Sequence, residues 1–210
     1  MDEFLPRLLF LVGLCPWATA PAQNTDLESE DFDKEIVAIE KELKARGMKA
    51  TFRATGQTGI FIAGEGVSVD AVVADFISGA TEWLAPGNDD DHWDVVEGQG
   101  SLFHAAYAGV TLGLLHGAQP DAIVLCHEPT RPHMRGTPTV PMPDLQAVID
   151  ANISSGRLTN PDIRCIGVSV NTSALSDSEA DKLLQELETK LGLPCVDAFR
   201  HGAARLVDAI

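Results

Sequence analysis

The residues best suited to chemistry fall in three short runs of this 210-residue chain. The first is Val95-Val96-Glu97-Gly98-Gln99-Gly100-Ser101. An acid that closes an apolar strand and precedes glycines occupies a Walker-B-type position. The strand fixes the carboxylate at the sheet edge, the glycines let backbone approach a ligand, and the carboxylate holds magnesium directly or through water. Glu97 is therefore a candidate catalytic and metal-binding residue, with Gly98, Gln99 and Ser101 beside the ligand. The competing reading is a tight strand-to-helix turn capped by an acid. The second run, Thr55-Gly56-Gln57-Thr58-Gly59, offers hydroxyls, an amide and glycines after a strand. Thr55, Gln57 and Thr58 suit hydrogen bonding to a phosphate or carboxylate, unless the run is an ordinary turn.

The third run is Cys126-His127-Glu128-Pro129-Thr130-Arg131-Pro132-His133-Met134-Arg135. His127 suits acid-base work near neutral pH, with Glu128 as a second catalytic candidate. Arg131 and Arg135 can clamp a carboxylate or phosphate in a bidentate way. His127 and His133 lie on a proline-broken loop and lack the spacing of a zinc site. Asn171 ends a buried run, where its amide either reads a nucleotide base or caps the next turn. Asp89, Asp90 and Asp91 read as solvated surface rather than a metal site. His104 and His116 read as structural, and Trp17, Trp83 and Trp93 as core or hydrophobic cover. No nucleophile elbow appears: Gly98-Gln99-Gly100-Ser101-Leu102 is not G-x-S-x-G.

These runs need elements to position them. Helices are expected over Asp26–Arg46, Asp70–Leu84, Tyr107–His116, from Pro143-Asp144 to about Ser155, over Ser176–Leu191 and over His201–Ala209. The Ser176 helix carries the capping-box spacing to Glu179. Strands are expected over Met48–Ala54, Trp93–Val96, Asp121–Cys126, Ile163–Val170 and Leu193–Ala198. Alternating strands and helices imply βαβ units, a mostly parallel sheet and helices on both faces. In such an α/β fold, ligands bind at the carboxyl ends of the strands, where all three runs fall.

The formal charge of −16 repels nucleic acid and anionic lipid, which leaves a small-molecule substrate as the expected partner, with homo-oligomers open. Cys15, Cys126, Cys165 and Cys195 form no CxxC pair. They read as small buried hydrophobes in a reducing, cytoplasmic setting. Residues 1–24 form an atypical N-terminal segment, and 25–210 the α/β domain. Within the first, Leu8–Leu14 followed by Ala18-Thr19-Ala20 resembles a secretory signal, although Asp2 and Glu3 make its start acidic. The alternative is a first buried strand over Leu8–Val12, turning at Gly13.

Six ordered segments carry a resemblance: Ala50 to Ile60, Asp70 to Phe76, His92 to His104, Leu125 to Pro129, Leu158 to Arg164, and Asn171 to Leu175. Together, from about Lys44 onward, they resemble the C-terminal domain of the D-glutamate N-acetyltransferase-like family. The resemblance implies a P-loop NTPase-like three-layer sandwich. Glu97-Gly98 is similar to the Glu-Gly motif of the dethiobiotin and cobyric acid synthetase branch. It implies acetyl transfer from acetyl-CoA to the amino group of D-glutamate, with acetyl-CoA or ATP and magnesium as cofactors; the sequence itself supports neither. Family members also carry a preceding N-terminal domain and a glycine-rich loop ending in Gly-Lys. Residues 14–23 contain neither Gly nor Lys, and Pro16, Trp17 and Pro21 suit a phosphate cradle poorly. The alternative reading is a non-catalytic or truncated small-molecule- or nucleotide-binding domain.

Overall fold

The computed structural model describes residues 7–13 and 26–210. The expected phosphate-loop segment, 14–23, lies outside the described residues. Six strands form one sheet in the order β2-β3-β1-β4-β5-β6, and every pair is parallel. The strands are β1 (Arg7–Gly13), β2 (Lys49–Arg53), β3 (His92–Val96), β4 (Ala122–His127), β5 (Arg164–Val170) and β6 (Cys195–Val196). The helices are α1 (Asp26–Ala45), α2 (Gln57–Ala63), α3 (Ile77–Leu84), α4 (Ala108–Ala118), α5 (Leu145–Gly156), α6 (Asp177–Leu191), α7 (Ala198–His201) and α8 (Ala204–Val207).

Alternation along the strands builds three layers. Leu9, Phe52, Val95 and Val124 pack with Ile36, Ile39 and Leu43 of α1 and Leu206 of α8. On the opposite face, Phe10, Val96 and Ile123 meet Leu114 and Leu115 of α4. There too, Leu125, Val168 and Val170 meet Val148 and Ile149 of α5 and Leu184 of α6. This is the P-loop NTPase-like α/β sandwich.

The chain leaves central β1 for β2 at one edge and returns to β3 beside β1. It then crosses to β4 on the other side. Strand order therefore reverses around β1, and in sheets of this kind ligands bind at the carboxyl ends of the strands flanking the reversal, here β3, β1 and β4. Leu9 and Phe10 of β1 are wholly buried.

Several elements depart from the sequence reading. The expected loop Thr55–Gly59 turns into helix at Gln57. The expected helix Asp70–Leu84 is two 3₁₀ turns, Val69–Ala71 and Ala74–Phe76, followed by α3. Val72 and Val73 between them adopt extended ψ angles of 137° and 134°, as suits β-branched residues. The closing helix is two single turns, broken at Gly202 with φ +76°. The glycine-rich stretch before His116 is helix α4, and a Cβ on Gly117 would lie 2.3 Å from the Ser78 carbonyl oxygen. Glycine there lets α4 approach α3. Trp93 is buried as expected, but Trp83 is 74% exposed and is not core. Among the described residues, no helix is long and apolar enough to cross a membrane.

Candidate functional site

Glu97 extends β3 by one hydrogen bond, its N–H donating to the Arg53 carbonyl at 3.1 Å. Its side chain is fully buried. Carboxylate oxygen Oε2 accepts the backbone N–H groups of Thr55 at 2.7 Å and Gly56 at 2.9 Å. Thr55 Oγ1 donates to the Glu97 carbonyl at 2.8 Å and accepts from Gln99 Nε2 at 2.9 Å. Two of the three sequence runs thus interlock. The Thr55–Gly59 run does bind a carboxylate, and that carboxylate is the chain's own Glu97.

The glycines have a steric reason. A Cβ on Gly56 would lie 2.5 Å from Gln99 Nε2 and 2.8 Å from Glu97 Oε1. One on Gly59 would lie 2.3 Å from Glu97 Oε2. Only glycine clears the seated acid at either position. Gly98 and Ser101 are buried in the turn after Glu97, while Gln57 is exposed and Thr58 half-buried on α2.

The third run lies across β1. Val96 pairs with Phe10, and Leu11 with Val124, so His127 sits three residues farther along its strand than Glu97. Two strand spacings of about 4.8 Å and three rises of about 3.3 Å separate their backbones. Glu97, His127 and Glu128 lie at the same carboxyl edge of the sheet but form no single cluster. Burial pushes the His127 imidazole down to about 4, with the Glu128 charge opposing this weakly. Its Nδ1 finds no hydrogen-bond partner among the described residues. A histidine at about 4 is neutral at physiological pH. It suits hydrogen bonding better than general base work, which is most effective when the pKa lies near the working pH.

Glu128 is engaged by its own loop. Its carboxylate accepts the Thr130 N–H at 3.0 Å, hydrogen-bonds Thr130 Oγ1 and pairs with Arg131. The loop then forms a small hairpin through the antiparallel bridge of His133 with Pro141, seated by buried Met134. His104 ties this hairpin to the segment after Glu97. Its Nδ1 accepts the Ala106 N–H at 3.1 Å, so Nε2 carries the proton and donates to the Arg135 carbonyl at 2.8 Å. That bond holds the Arg135 backbone beside the segment that follows Glu97. His116 is likewise structural, with Nε2 at 3.1 Å from the Ser155 carbonyl.

Asn171 lies at the end of β5, where its Oδ1 accepts the Ser173 N–H at 3.0 Å and caps the turn. The sequence reading missed the network next to it. Buried Asp197, after β6, accepts N–H groups of Thr172 at 3.1 Å, Phe199 at 3.0 Å and Arg200 at 2.9 Å, and hydrogen-bonds Thr172 Oγ1. Arg200 Nε lies 3.6 Å from it. An acid directly after an apolar run was the available signal. Of the thiols, burial raises Cys165 to about 11 and Cys195 to about 12, which leaves both inert. No group of three His, Cys, Asp or Glu able to hold a metal occurs among the described residues.

Residues 35–207 match the family described as a domain of unknown function, the DUF1611_C P-loop domain. A protein of Tritonibacter scottomollicae named D-glutamate N-acetyltransferase is 56% identical over 174 residues, which is 83% of this chain and 52% of that protein. A Pseudoalteromonas protein of the same name is 49% identical over 81% of this chain and 52% of its own length. The chain spans about half the length of these relatives. The crystal structure of a DUF1611 family protein from Anabaena variabilis superposes with a TM-score of 0.86 at 31% identity, over 99% of this chain and 57% of that one.

Proposed function

The chain belongs to the DUF1611 P-loop domain family, and from that premise we propose that it is the substrate-binding α/β half of a D-glutamate N-acetyltransferase-like enzyme. The observation that carries this reading is Glu97: a wholly buried carboxylate, seated on the Thr55 and Gly56 amides, at the switch point of a parallel sheet. An acidic amino acid brings one ammonium and two carboxylates. Glu97 would complement the ammonium and Arg135, on the hairpin that His104 anchors, a carboxylate, while Arg131 is engaged by Glu128. His127 contributes a neutral hydrogen-bonding edge. Acetyl-CoA, when bound, would supply the acyl group that the substrate amine takes up. The formal charge of −16 supports a small-molecule ligand over nucleic acid, and the buried thiols support a reducing, cytosolic setting.

ATP with magnesium fits less well. Magnesium held by one carboxylate and substrate phosphates suits Glu97. A polyphosphate cradle is not supplied by residues 14–23, which lack both Gly and Lys. No phosphoryl step is therefore assigned. That same loop composition favours a second reading, a domain that binds the acid without turning it over.

Calorimetric titration of the chain with D-glutamate, acetyl-CoA and Mg-ATP tests the proposal. D-Glutamate or acetyl-CoA is expected to bind, and Glu97→Gln to weaken D-glutamate at least about tenfold, or 1.4 kcal/mol. Binding of none of the three sinks the proposal. Binding without formation of N-acetyl-D-glutamate selects the second reading.

A further inference from the structure

Helix α3 is apolar on two sides. Ile77, Thr81 and Leu84 are buried inward, while Val73, Phe76 and Trp83 stand 67%, 67% and 74% exposed. Phe76 and Trp83 are seven residues apart, two helical turns on one face and about 10 Å along the axis. Gly79 and Ala80 lie between them, and a Cβ on Gly79 would meet nothing within 4 Å. Val73 joins the stripe across a 3₁₀ turn, whose i and i+3 side chains eclipse. Three large, rigid apolar side chains in one row make an interface centre rather than scattered surface hydrophobes.

Charge and length identify the cover. From Ala54 to Thr130 the chain has eleven Asp and Glu and no Lys or Arg. Exposed Asp70, Asp75 and Glu82 rim the stripe. A second copy would set this acidic rim against itself. The relatives, by contrast, have almost half their length outside the match, while the shared domain keeps its fold. Contacts between domains of one chain bury on the order of 600–1,500 Å².

We propose that the Val73-Phe76-Trp83 face of α3 is the docking surface for the further half carried by the longer relatives, which meets it with apolar side chains rimmed by Lys or Arg. The apolar row supplies the contact, and the acidic rim selects the occupant and excludes self-pairing.

The test joins the unmatched half of the Tritonibacter scottomollicae protein to this chain, in that protein's own order, and compares amide hydrogen exchange with the chain alone. Exchange across Ile77–Leu84 is expected to slow at least about tenfold. Lysine at both Phe76 and Trp83 is expected to restore the faster rate in the fusion and leave the melting of the chain alone unchanged. The intact relative provides a second measurement: its aligned helix is expected to exchange more slowly in the whole protein than in its matching half alone. Equal rates in both pairs overturn the proposal. Protection of α3 that rises with concentration of the chain alone also overturns it, and assigns the face to a second copy.

Discussion

Glu97 and Asp197 are buried acids at the carboxyl edge of the same sheet, and they are held differently. Each directly follows a strand and accepts backbone N–H groups from a neighbouring loop. Asp197 receives three backbone amides and the Thr172 hydroxyl, and the Arg200 guanidinium lies 3.6 Å away. Arg200 is itself tied to the Thr172 and Leu175 carbonyls and to Asp177. That is a clasp closing β5, β6 and α7. Glu97 Oε2 accepts the Thr55 and Gly56 amides at the edge where the strand order reverses. A carboxylate supplied with a cation joins elements together. One at a switch point lies at the edge where ligands bind in such sheets.

The largest expected effect is therefore on stability, at Asp197. Asp197→Ala strands the buried donors of Thr172, Phe199 and Arg200 and should cost about 3–5 kcal/mol, read from the urea midpoint. Its ligand affinity, measured where the variant is still folded, should stay close to wild type. A loss of D-glutamate binding as large as that of Glu97→Gln would erase the distinction between the two acids.

His127, between them in the sheet order, gives the next effect. Its folded value of about 4 lies below the usual 6.5, so between these values the unfolded chain binds more protons. Stability is complete above about pH 6.5 and falls as pH drops toward 4, by roughly 3 kcal/mol in all. His127→Leu should flatten the melting curve against pH over that window. An unchanged slope would show that the imidazole is not held neutral by burial.

Much of this was legible in the sequence because periodicity reports burial. The apolar runs of β3, β4 and β5 and the capping box of Ser176 with Glu179 each depend on neighbours in the chain. Glu97 was found because a carboxylate closing an apolar strand before glycines is a local pattern. What Thr55–Gly59 holds was not legible, since its partner lies about forty residues away and the pairing of β2 with β3 brings them together. Asp197 stood in the expected strand Leu193–Ala198 but was given no role, because β6 has only two residues and gives almost no period to read. Whether Trp83 is core or cover was not legible, because only the packing of α3 on α4 decides which side of the helix is left outside.

Gly59→Ala sharpens the account of the seat itself. Its Cβ would fall 2.3 Å from Glu97 Oε2 and 3.1 Å from Phe52 Cζ. Alanine normally favours a helix over glycine by about 1 kcal/mol, so Gly79→Ala on α3, where nothing lies within 4 Å, should stabilise slightly. Gly59→Ala should instead destabilise by about 1–3 kcal/mol. In a Glu97→Ala background most of that penalty should vanish, because the colliding oxygen is gone. Equal costs in both backgrounds would mean that Phe52, not the carboxylate, is what Gly59 clears.

The smallest effect is expected at Gln99, and it separates seating from stability most cleanly. Gln99 Nε2 holds Thr55 Oγ1, which in turn holds the Glu97 carbonyl. Gln99→Ala removes one buried hydrogen bond, worth about 0.5–1.5 kcal/mol in melting. Thr55 still has its acceptor in that variant, so the loop should stay in place. If Thr55 serves mainly to orient Glu97, D-glutamate affinity should fall by more than the stability loss alone explains, and Gln99→Glu should not restore it because a second acid would crowd the first. A variant that loses stability but keeps full affinity would make Gln99 a packing residue with no part in orienting Glu97.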